Sequence, residues 1–261
     1  MPAADGPTAS DGSPLPERGR PTYERDVRAM FAHIARGYEG FDHLASVGQD
    51  YLWRPRALWD LDRFRAGAPA VGWVLDLGCG TGELTRLTLR HYRGCRVVGA
   101  DFTPEMLRRA AAALPPKDRD RAPLVRATAR RLPFRDGRFD LVVSGFVARN
   151  LPDLAGALGE IRRVLAPGGS AMVLDITGPS DPFFRKMFLA YFDTVVPMLG
   201  AAVGSRGPYT YLPRSLRHLP TPARIVEMFR EAGFDRAEAH PQSGGIVTAF
   251  LADVPGRGQS R

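Results

Sequence analysis

The stretch WVLDLGCGTGELTRL, residues 73–87, places a short apolar run, a glycine-rich turn and the start of a helical pattern in direct succession. A glycine-rich turn between a strand and a helix lets a ligand approach bare backbone, and the helix N-terminus points toward that ligand. The turn contains Gly78, Gly80 and Gly82, and the acidic Asp76 precedes it. The stretch therefore predicts a ligand site at the end of a strand in an α/β domain.

The spacing of the glycines separates the kinds of ligand that such a turn can hold. A Walker loop needs Gly-Lys followed by Ser or Thr, which is absent here, and a dinucleotide site needs a glycine where this chain has Glu83. A pyrophosphate would be repelled by the carboxylate of Asp76, whereas a ligand with an ammonium and a sulfonium would be attracted. The D-x-G-x-G-x-G pattern thus favours a cationic ligand over a nucleotide phosphate.

Short apolar runs alternate with helical patterns from residue 73 onward, which predicts a parallel sheet with helices on both faces. The runs are 73–77, 96–100, 123–127, 139–144 and 170–176, and the helical patterns lie near 82–92, 104–114 and 153–165. We expect the sequence PGG at 167–169 to close a helix before the fifth strand. A helix at 222–232 then leads to a terminal antiparallel hairpin, formed by 234–240 and 244–253.

The composition is that of an ordinary globular protein with a basic surface. The net charge is +8, from 36 Lys and Arg against 28 Asp and Glu, but the arginines are scattered and no nucleic-acid-binding motif accompanies them. We therefore expect no nucleic-acid partner, and no metal site is predicted. Two cysteines imply no disulfide framework, and the first twenty residues lack a signal-peptide pattern, which favours a cytoplasmic protein.

The glycine motif resembles that of class I S-adenosylmethionine (SAM)-dependent methyltransferases. The second predicted strand ends in Asp101, which lies 25 residues after Asp76 and is placed to accept hydrogen bonds from both ribose hydroxyls. Alternatively, Asp101 only caps the helix that begins at Pro104. The resemblance implies SAM as cofactor and a Rossmann-like, mostly parallel seven-stranded sheet with a terminal antiparallel hairpin. A helical N-terminal extension and a helical insertion after strand five complete the expected fold.

A narrower resemblance runs in order from about residue 25 to 252. The segments that carry it are MFAHIARGYEGFDHLASVGQDYLWR (30–54), LPFRDGRFDLVVSGFVARNLPD (132–153), EIRRVLAPGGSAMVLDIT (160–177) and YTYLPRSLRHLP (209–220). They are similar to the ubiquinone/menaquinone-biosynthesis C-methyltransferase family. The pair Arg149-Asn150 and the YTYLPRS stretch are more specific than the glycine loop.

The resemblance implies a set of cofactor-binding residues along the ends of the strands. These are Asp76, Gly78, Gly80, Thr81, Asp101, Phe102, Thr128, Ala129 and Gly145. The chain departs from the family at Thr128, where Asp or Asn is usual, and at Asp175, where Glu is usual. It also has Val147-Ala148 where the family has Gly-Leu.

The activity that the resemblance implies is C-methylation of a small aromatic substrate, a prenylated quinol such as demethylmenaquinol. The ring carbon must lie about 3–3.5 Å from the methyl group, and loss of a phenolic proton activates it. Arg149 is the candidate stabiliser of the phenolate, with a structural salt bridge as the alternative. Asp175 is placed to position Arg149 or a water, and Tyr209 either lines the substrate slot or only packs.

The chain divides by composition into tails, a lid and a catalytic domain. We expect disordered tails at 1–22 and 255–261, a helical lid at 23–66, and a SAM-binding domain at 67–254 with a substrate-side insertion at 178–222. Charged residues interrupt the apolar segment 182–204, so it is not a transmembrane helix. Its aromatic stripe suits a polyprenyl tail, with Arg185 and Lys186 at lipid headgroups, or packs on its own core or in a homodimer.

Two alternatives remain open from the sequence. One is a natural-product C- or O-methyltransferase of the same family, which the altered Val147 and Ala148 beside Arg149 motivate. The other is a protein that binds SAM without transferring its methyl group. Glu83 in place of a glycine argues against a dinucleotide-dependent oxidoreductase.

Overall fold

The computed structural model describes residues 16, 21–34, 49–179, 181–195, 198, 211 and 215–256, and it contains one seven-stranded sheet. The strands are β1 (Trp73–Leu77), β2 (Arg96–Asp101), β3 (Leu124–Arg126), β4 (Phe139–Gly145), β5 (Leu165–Ile176), β6 (Arg236–Gln242) and β7 (Val247–Asp253). Their order across the sheet is β3-β2-β1-β4-β5-β7-β6. Strands β1 to β5 pair in parallel, and β7 is antiparallel to both of its neighbours. The predicted fold class is confirmed.

Seven α-helices connect or flank the strands of the described chain. They are α1 (Tyr23–Ile34), α2 (Asp50–Phe64), α3 (Glu83–His91), α4 (Pro104–Ala113), α5 (Leu154–Val164), α6 (Pro182–Ala190) and α7 (Pro222–Glu231). Three of them begin at a side-chain cap: Asp153 accepts from Gly156 N, Asp181 from the amides of 183 and 184, and Thr221 from Arg224 N. Each cap satisfies a backbone N–H that has no partner within its helix.

The core lies on both faces of the sheet because successive side chains of a strand point to opposite faces. Val74 of β1 packs with α2 and α3, whereas Leu75 and Leu77 pack with α5 and α7. Helix α2 contributes five buried apolar side chains to the first face, at Trp53, Ala57, Leu58, Leu61 and Phe64. Within the segment predicted as a lid, α2 is therefore part of the domain core. Helix α1 packs separately, in a small cluster with Tyr211.

The PGG sequence lies inside β5, so the prediction that it closes a helix is wrong. Helix α5 ends earlier, at Val164, because Leu165 adopts an extended backbone with φ −75° and ψ 133°. Between two paired positions β4 advances from Phe139 to Leu141, while β5 advances from Leu165 to Ser170. The extra residues of β5, among them Gly168 with φ 76°, form an irregularity that pairing with β4 imposes.

The apolar stripe of the insertion splits between solvent and core. Phe183, Phe184 and Met187 of α6 have 67%, 59% and 56% of their surface exposed. In contrast, Phe188 and Phe192 pack on the core beside α2, Phe188 partly and Phe192 fully buried. Each helix of the described residues is too short or too polar to span a lipid bilayer. The predicted residue Tyr209 lies outside the described residues, as do most of the predicted tails.

Candidate active site

A cleft opens at the carboxyl ends of β1, β2 and β4, where ligands bind in parallel α/β sheets. It encloses about 910 Å³ of empty space, counted to its open mouth. Its floor is the glycine turn after β1 and the residues that follow β2 and β4. Helix α1 forms its outer wall through Glu24, Val27 and Phe31. The lining is mostly apolar with a few polar groups, which is typical of a cofactor site.

The structure brings most of the predicted cofactor residues together around this cleft. Seven of the nine line it: Gly78, Gly80, Asp101, Phe102, Thr128, Ala129 and Gly145. The other two do not. Asp76 is fully buried beneath the glycine turn, and Thr81 is 6% exposed, with its carbonyl accepting from the Arg86 guanidinium at 2.9 Å. These two residues therefore support the turn and do not line the cleft.

The three glycines of the turn all have positive φ. The reason why a side chain is excluded differs between the three positions. A side chain at Gly78 would collide with Val147, and one at Gly82 would lie 3.1 Å from the Cβ of Ala110. A Cβ built on Gly80, where φ is +53°, meets no atom within 4 Å in the part of the chain that the structure describes. Gly78 and Gly82 are therefore required by packing. Gly80 instead leaves open the space of the cleft, which is the cradle that a ligand on bare backbone needs.

Asp101 joins the glycine turn to the segment that begins α4. One carboxylate oxygen accepts from Gly80 N at 3.0 Å and the other from Thr103 N at 2.8 Å. The side chain is 7% exposed, and burial raises its pKa. Asp101 lines the cleft, as the predicted ribose contact requires, but it does not cap α4, because the N-cap of that helix is Thr103 and on this side Asp101 accepts from the amide of Thr103 itself.

We expect Asp101→Ala to weaken SAM binding by about 1.5–3 kcal/mol, the range for hydrogen bonds to a charged group. Titration calorimetry measures this directly. Asp101→Asn is the matched control, since its amide oxygen still accepts one bond from the turn. If the alanine variant binds SAM as tightly as the parent while melting at a lower temperature, Asp101 serves only the turn.

Asp76 places a titratable group directly under the glycine turn. Thr85 Oγ1 donates to one of its oxygens at 2.5 Å, and the other has no hydrogen-bond partner among the described residues. Burial is the main cause that raises the pKa of Asp76 to about 7. The negative charge of Asp101 adds to this effect, while the guanidinium of Arg54 opposes it.

A cationic ligand on the turn favours the ionised form of Asp76, which predicts pH-dependent SAM binding. The affinity for SAM should fall as the pH drops below about 7, the raised pKa of Asp76. Below that pH the carboxyl group of Asp76 is protonated, and SAM binding must then remove this proton. Calorimetry between pH 5.5 and 8.5 tests this, with Asp76→Asn as the non-titrating control. Equal slopes in parent and Asp76→Asn would assign the pH dependence to another group, such as Asp101.

Arg149 and Asp175 form a buried ion pair next to the cleft. Arg149 Nη1 donates to Asp175 Oδ1 at 2.5 Å, and the backbone amide of Arg149 donates to Oδ2 at 2.9 Å. The two side chains are 7% and 0% exposed. Ile176 N also donates to this carboxylate, at 2.8 Å. Asp175 therefore holds both the backbone and the guanidinium of Arg149 in one fixed arrangement.

Phe146 connects this ion pair to the cleft and to α2. It lines the cleft and has φ 63°, a conformation that an ordinary side chain adopts only when its surroundings enforce it. The guanidinium of Arg149 lies 5.7 Å from its ring centroid, and that of Arg54 lies 4.9 Å away. Arg54 also pairs with Glu83 at 3.0 Å. The sequence did not single out Arg54, which ends the 30–54 segment and is brought here by the core packing of α2.

A hydrogen-bonded group of three residues ties α1 to the rim of the cleft. Tyr211 Oη donates to Asn150 Oδ1 at 3.0 Å and lies 3.1 Å from Tyr23 Oη. Tyr23 Oη donates to the Asn150 carbonyl at 3.3 Å. Asn150 itself lines the cleft. Asn150 of the Arg-Asn pair and Tyr211 of the YTYLPRS stretch, which are distant in sequence, therefore meet at one point.

The strand order, the glycine turn and the acidic residue at the end of β2 define a class I SAM-dependent methyltransferase fold and site. The ubiE/COQ5 methyltransferase family matches residues 20–253, and the chain belongs to this family. Its cofactor is SAM. The open space over Gly80 and the carboxylate of Asp101 fit the bare-backbone approach and the hydroxyl groups of that molecule.

Relatives and solved structures agree with this assignment. The demethylmenaquinone methyltransferase of Thermus thermophilus is 42% identical over 87% of this chain and 100% of its own length. That of Lactiplantibacillus plantarum is 35% identical over 88% of this chain and 96% of its own. A SAM-dependent methyltransferase from Aquifex aeolicus has a similar fold, with a TM-score of 0.58 at 15% identity over 83% and 97% of the two chains.

Proposed function

We propose that this protein methylates a ring carbon of a prenylated quinol, most simply demethylmenaquinol. The relatives from Thermus thermophilus and Lactiplantibacillus plantarum, which match over nearly their whole lengths, carry the name demethylmenaquinone methyltransferase. The observation that carries the proposal is the buried Arg149–Asp175 pair beside the cofactor cleft. A fixed guanidinium in a site of low dielectric suits a substrate that develops phenolate charge.

Each group of the site has a separate task in this reaction. SAM supplies an electrophilic methyl group on its sulfonium. The protein must hold the ring carbon about 3–3.5 Å from that methyl and in line with the bond that breaks. The quinol hydroxyl loses its proton to solvent at the mouth of the cleft, and Arg149 stabilises the phenolate, whose charge raises the nucleophilicity of the neighbouring carbon. The carbon–methyl bond forms as the sulfur–methyl bond breaks, which leaves S-adenosylhomocysteine, and loss of the ring proton to solvent restores the aromatic ring. Asp175 is a positioning residue, because its carboxylate accepts one hydrogen bond from the guanidinium of Arg149 and one from the backbone amide of Arg149.

Helix α1 is the lid of the cleft in this proposal. Its apolar residues Val27 and Phe31 line the cleft, and the contacts of Tyr23 anchor its first turn to Asn150. Closing an apolar wall over the reacting groups excludes water and strengthens the electrostatic effect of Arg149. Helix α2 packs in the core and is not part of the lid.

Labelled SAM and a panel of demethylated quinols test the proposed substrate. The expected product carries one labelled methyl on a ring carbon, located by fragment mass spectrometry. A methyl on oxygen, or transfer to unprenylated phenols at the same rate, would favour a natural-product methyltransferase. If the protein binds SAM tightly but transfers no methyl group to any acceptor in the panel, the proposed methylation of a quinol is wrong.

We also propose that α6 contacts the surface of the membrane that holds the prenylated quinol. Its exposed side chains Phe183, Phe184 and Met187 lie next to Arg185 and Lys186, an arrangement that suits an apolar interface with anionic headgroups. We expect the double variant Phe183→Ser/Phe184→Ser to lose sedimentation with phosphatidylglycerol vesicles. Trp59→Ser is the matched control, because Trp59 on α2 is 62% exposed. Equal sedimentation of all three proteins would contradict the contact.

A further inference from the structure

A second cleft lies beside the cofactor cleft, between α1 and the residues that follow β3. It encloses about 1090 Å³ of empty space, counted to its open mouth. Four of the side chains that line it are arginines: Arg25 and Arg28 from α1, and Arg126 and Arg131 from the opposite wall. Two walls that belong to different elements thus present the same charge to one shared space.

The charges of this second cleft are not balanced within the described chain. No ion pair with a described residue is formed by the side chains of Arg28, Arg126 and Arg131. The charge of Arg131 helps to lower the pKa of Glu160, but Glu160 is already paired with Arg163. Of the described acidic residues, Arg25 pairs with its neighbour Asp26 alone, at 3.4 Å. Among the residues that line the cleft the one acidic side chain is Glu24, and it lies 3.4 Å from Arg130. Guanidinium groups stay charged at all physiological pH values, so they repel one another unless an anion lies between them.

The second cleft shares a wall with the cofactor cleft. Glu24 of α1, Phe102 and Thr128 line both spaces. Helix α1 thus directs Val27 and Phe31 toward the cofactor while Arg25 and Arg28 line the neighbouring cleft. Among the described residues, the apolar cluster that holds α1 is small, and its buried members are Tyr23, Val27 and Tyr211. A ligand that bridges the two walls would therefore influence how firmly α1 covers the cofactor.

We infer that the second cleft binds a phosphate group, either free or on an anionic lipid, and that this group holds α1 closed over SAM. Arginine is suited to this role because its planar donors match two phosphate oxygens at once. A phosphate between Arg28 on α1 and Arg126 at the end of β3 replaces repulsion between the walls with two attractive contacts. The inference depends on cofactor binding and on the lid position of α1, and it is independent of the quinol substrate.

The test measures SAM affinity by calorimetry while inorganic phosphate replaces chloride at constant ionic strength. We expect phosphate to tighten SAM binding by about 5- to 150-fold, the usual range of coupling between two sites. The double variant Arg28→Gln/Arg126→Gln removes one charge from each wall and should lose this response. Arg109→Gln/Arg135→Gln is the control with the same net charge, because neither residue lines either cleft. Melting curves confirm that both variants are folded.

Vesicles distinguish the source of the phosphate. If phosphatidylglycerol vesicles tighten SAM binding but inorganic phosphate does not, the ligand is a lipid headgroup; if both do, a free anion is sufficient. Phosphatidylcholine-only vesicles must leave the SAM affinity of the parent unchanged. Phosphatidylglycerol vesicles must leave the SAM affinity of the Arg28→Gln/Arg126→Gln variant unchanged. The inference is overturned if neither phosphate nor phosphatidylglycerol vesicles change the SAM affinity of the parent. It is also overturned if the two double variants respond equally to these additions. Because the readout is cofactor binding, failure of the quinol assay leaves this result unaffected.

Discussion

Gly80→Val is expected to abolish SAM binding while the domain remains folded. The Cβ position of Gly80 meets no atom of the described residues within 4 Å, so this part of the chain leaves room for a side chain there. That room is the space of the cofactor cleft, which the branched side chain would fill. The change also places a β-branched residue at φ +53°, which costs about 1–2 kcal/mol. Titration calorimetry measures the loss of binding, and a melting curve measures the cost in stability.

Gly67→Val is the matched control for the backbone strain. Gly67 has φ +86°, and its Cβ would also meet none of the described atoms within 4 Å. It follows α2 before the amino end of β1, away from the cleft. It should show a comparable loss of stability and unchanged SAM affinity. Equal SAM affinity in Gly80→Val and the parent would show that the ligand does not lie on this turn. Equal loss in both valine variants would trace the effect to strain alone.

Most of the sheet could be predicted from sequence because its strands are covered on both faces. Such strands form nearly continuous apolar runs, and the run at 73–77 coincides with β1. The start of β5 could not be predicted, since the pairing of Leu165 with Phe139 depends on another strand. Pro and Gly near a helix end usually mark a loop, and only the tertiary pairing shows that this segment joins the sheet.

The candidate site was predictable where a residue lies at a strand end and less so elsewhere. Asp101 and Gly145 end β2 and β4, so the topology alone places them at the cleft. Asp76 is buried because β1 is covered on both faces, and the alternation of side chains along β1 places Leu77, which lines the cleft, on the face opposite to Asp76. Arg54 comes to Phe146 only because α2 packs in the core, and no local pattern reports that contact.

Arg149→Gln is expected to lower the methylation rate about 10²–10³-fold while SAM affinity changes little. This is the loss for one preorganised electrostatic donor, and glutamine retains a donor without the charge. Arg149→Lys should recover only part of the rate, because an ammonium is a point charge and lacks the planar fork. Single-turnover rates with a prenylated quinol measure the effect.

The buried partner of Arg149 makes a second variant necessary. Removing the guanidinium leaves the fully buried carboxylate of Asp175 without its charged partner, which typically costs about 3–5 kcal/mol of stability. In Arg149→Gln/Asp175→Asn both charges are absent, so this penalty is relieved. We expect the double variant to melt at a higher temperature than Arg149→Gln and to remain as slow. Stability and catalysis are separated by this comparison.

Arg149→Gln, Arg149→Gln/Asp175→Asn and Asp175→Asn together assign Arg149 to one of two roles. If Arg149→Gln/Asp175→Asn recovers both stability and rate, the pair is structural and the phenolate is stabilised elsewhere. If the rate stays low in a stable protein with normal SAM affinity, the guanidinium acts on the acceptor. Asp175→Asn alone should then give an intermediate rate, since Arg149 keeps its charge but loses the carboxylate that orients it. A fall in rate on the quinol that exceeds the fall on an unrelated phenol would tie this role to the proposed substrate.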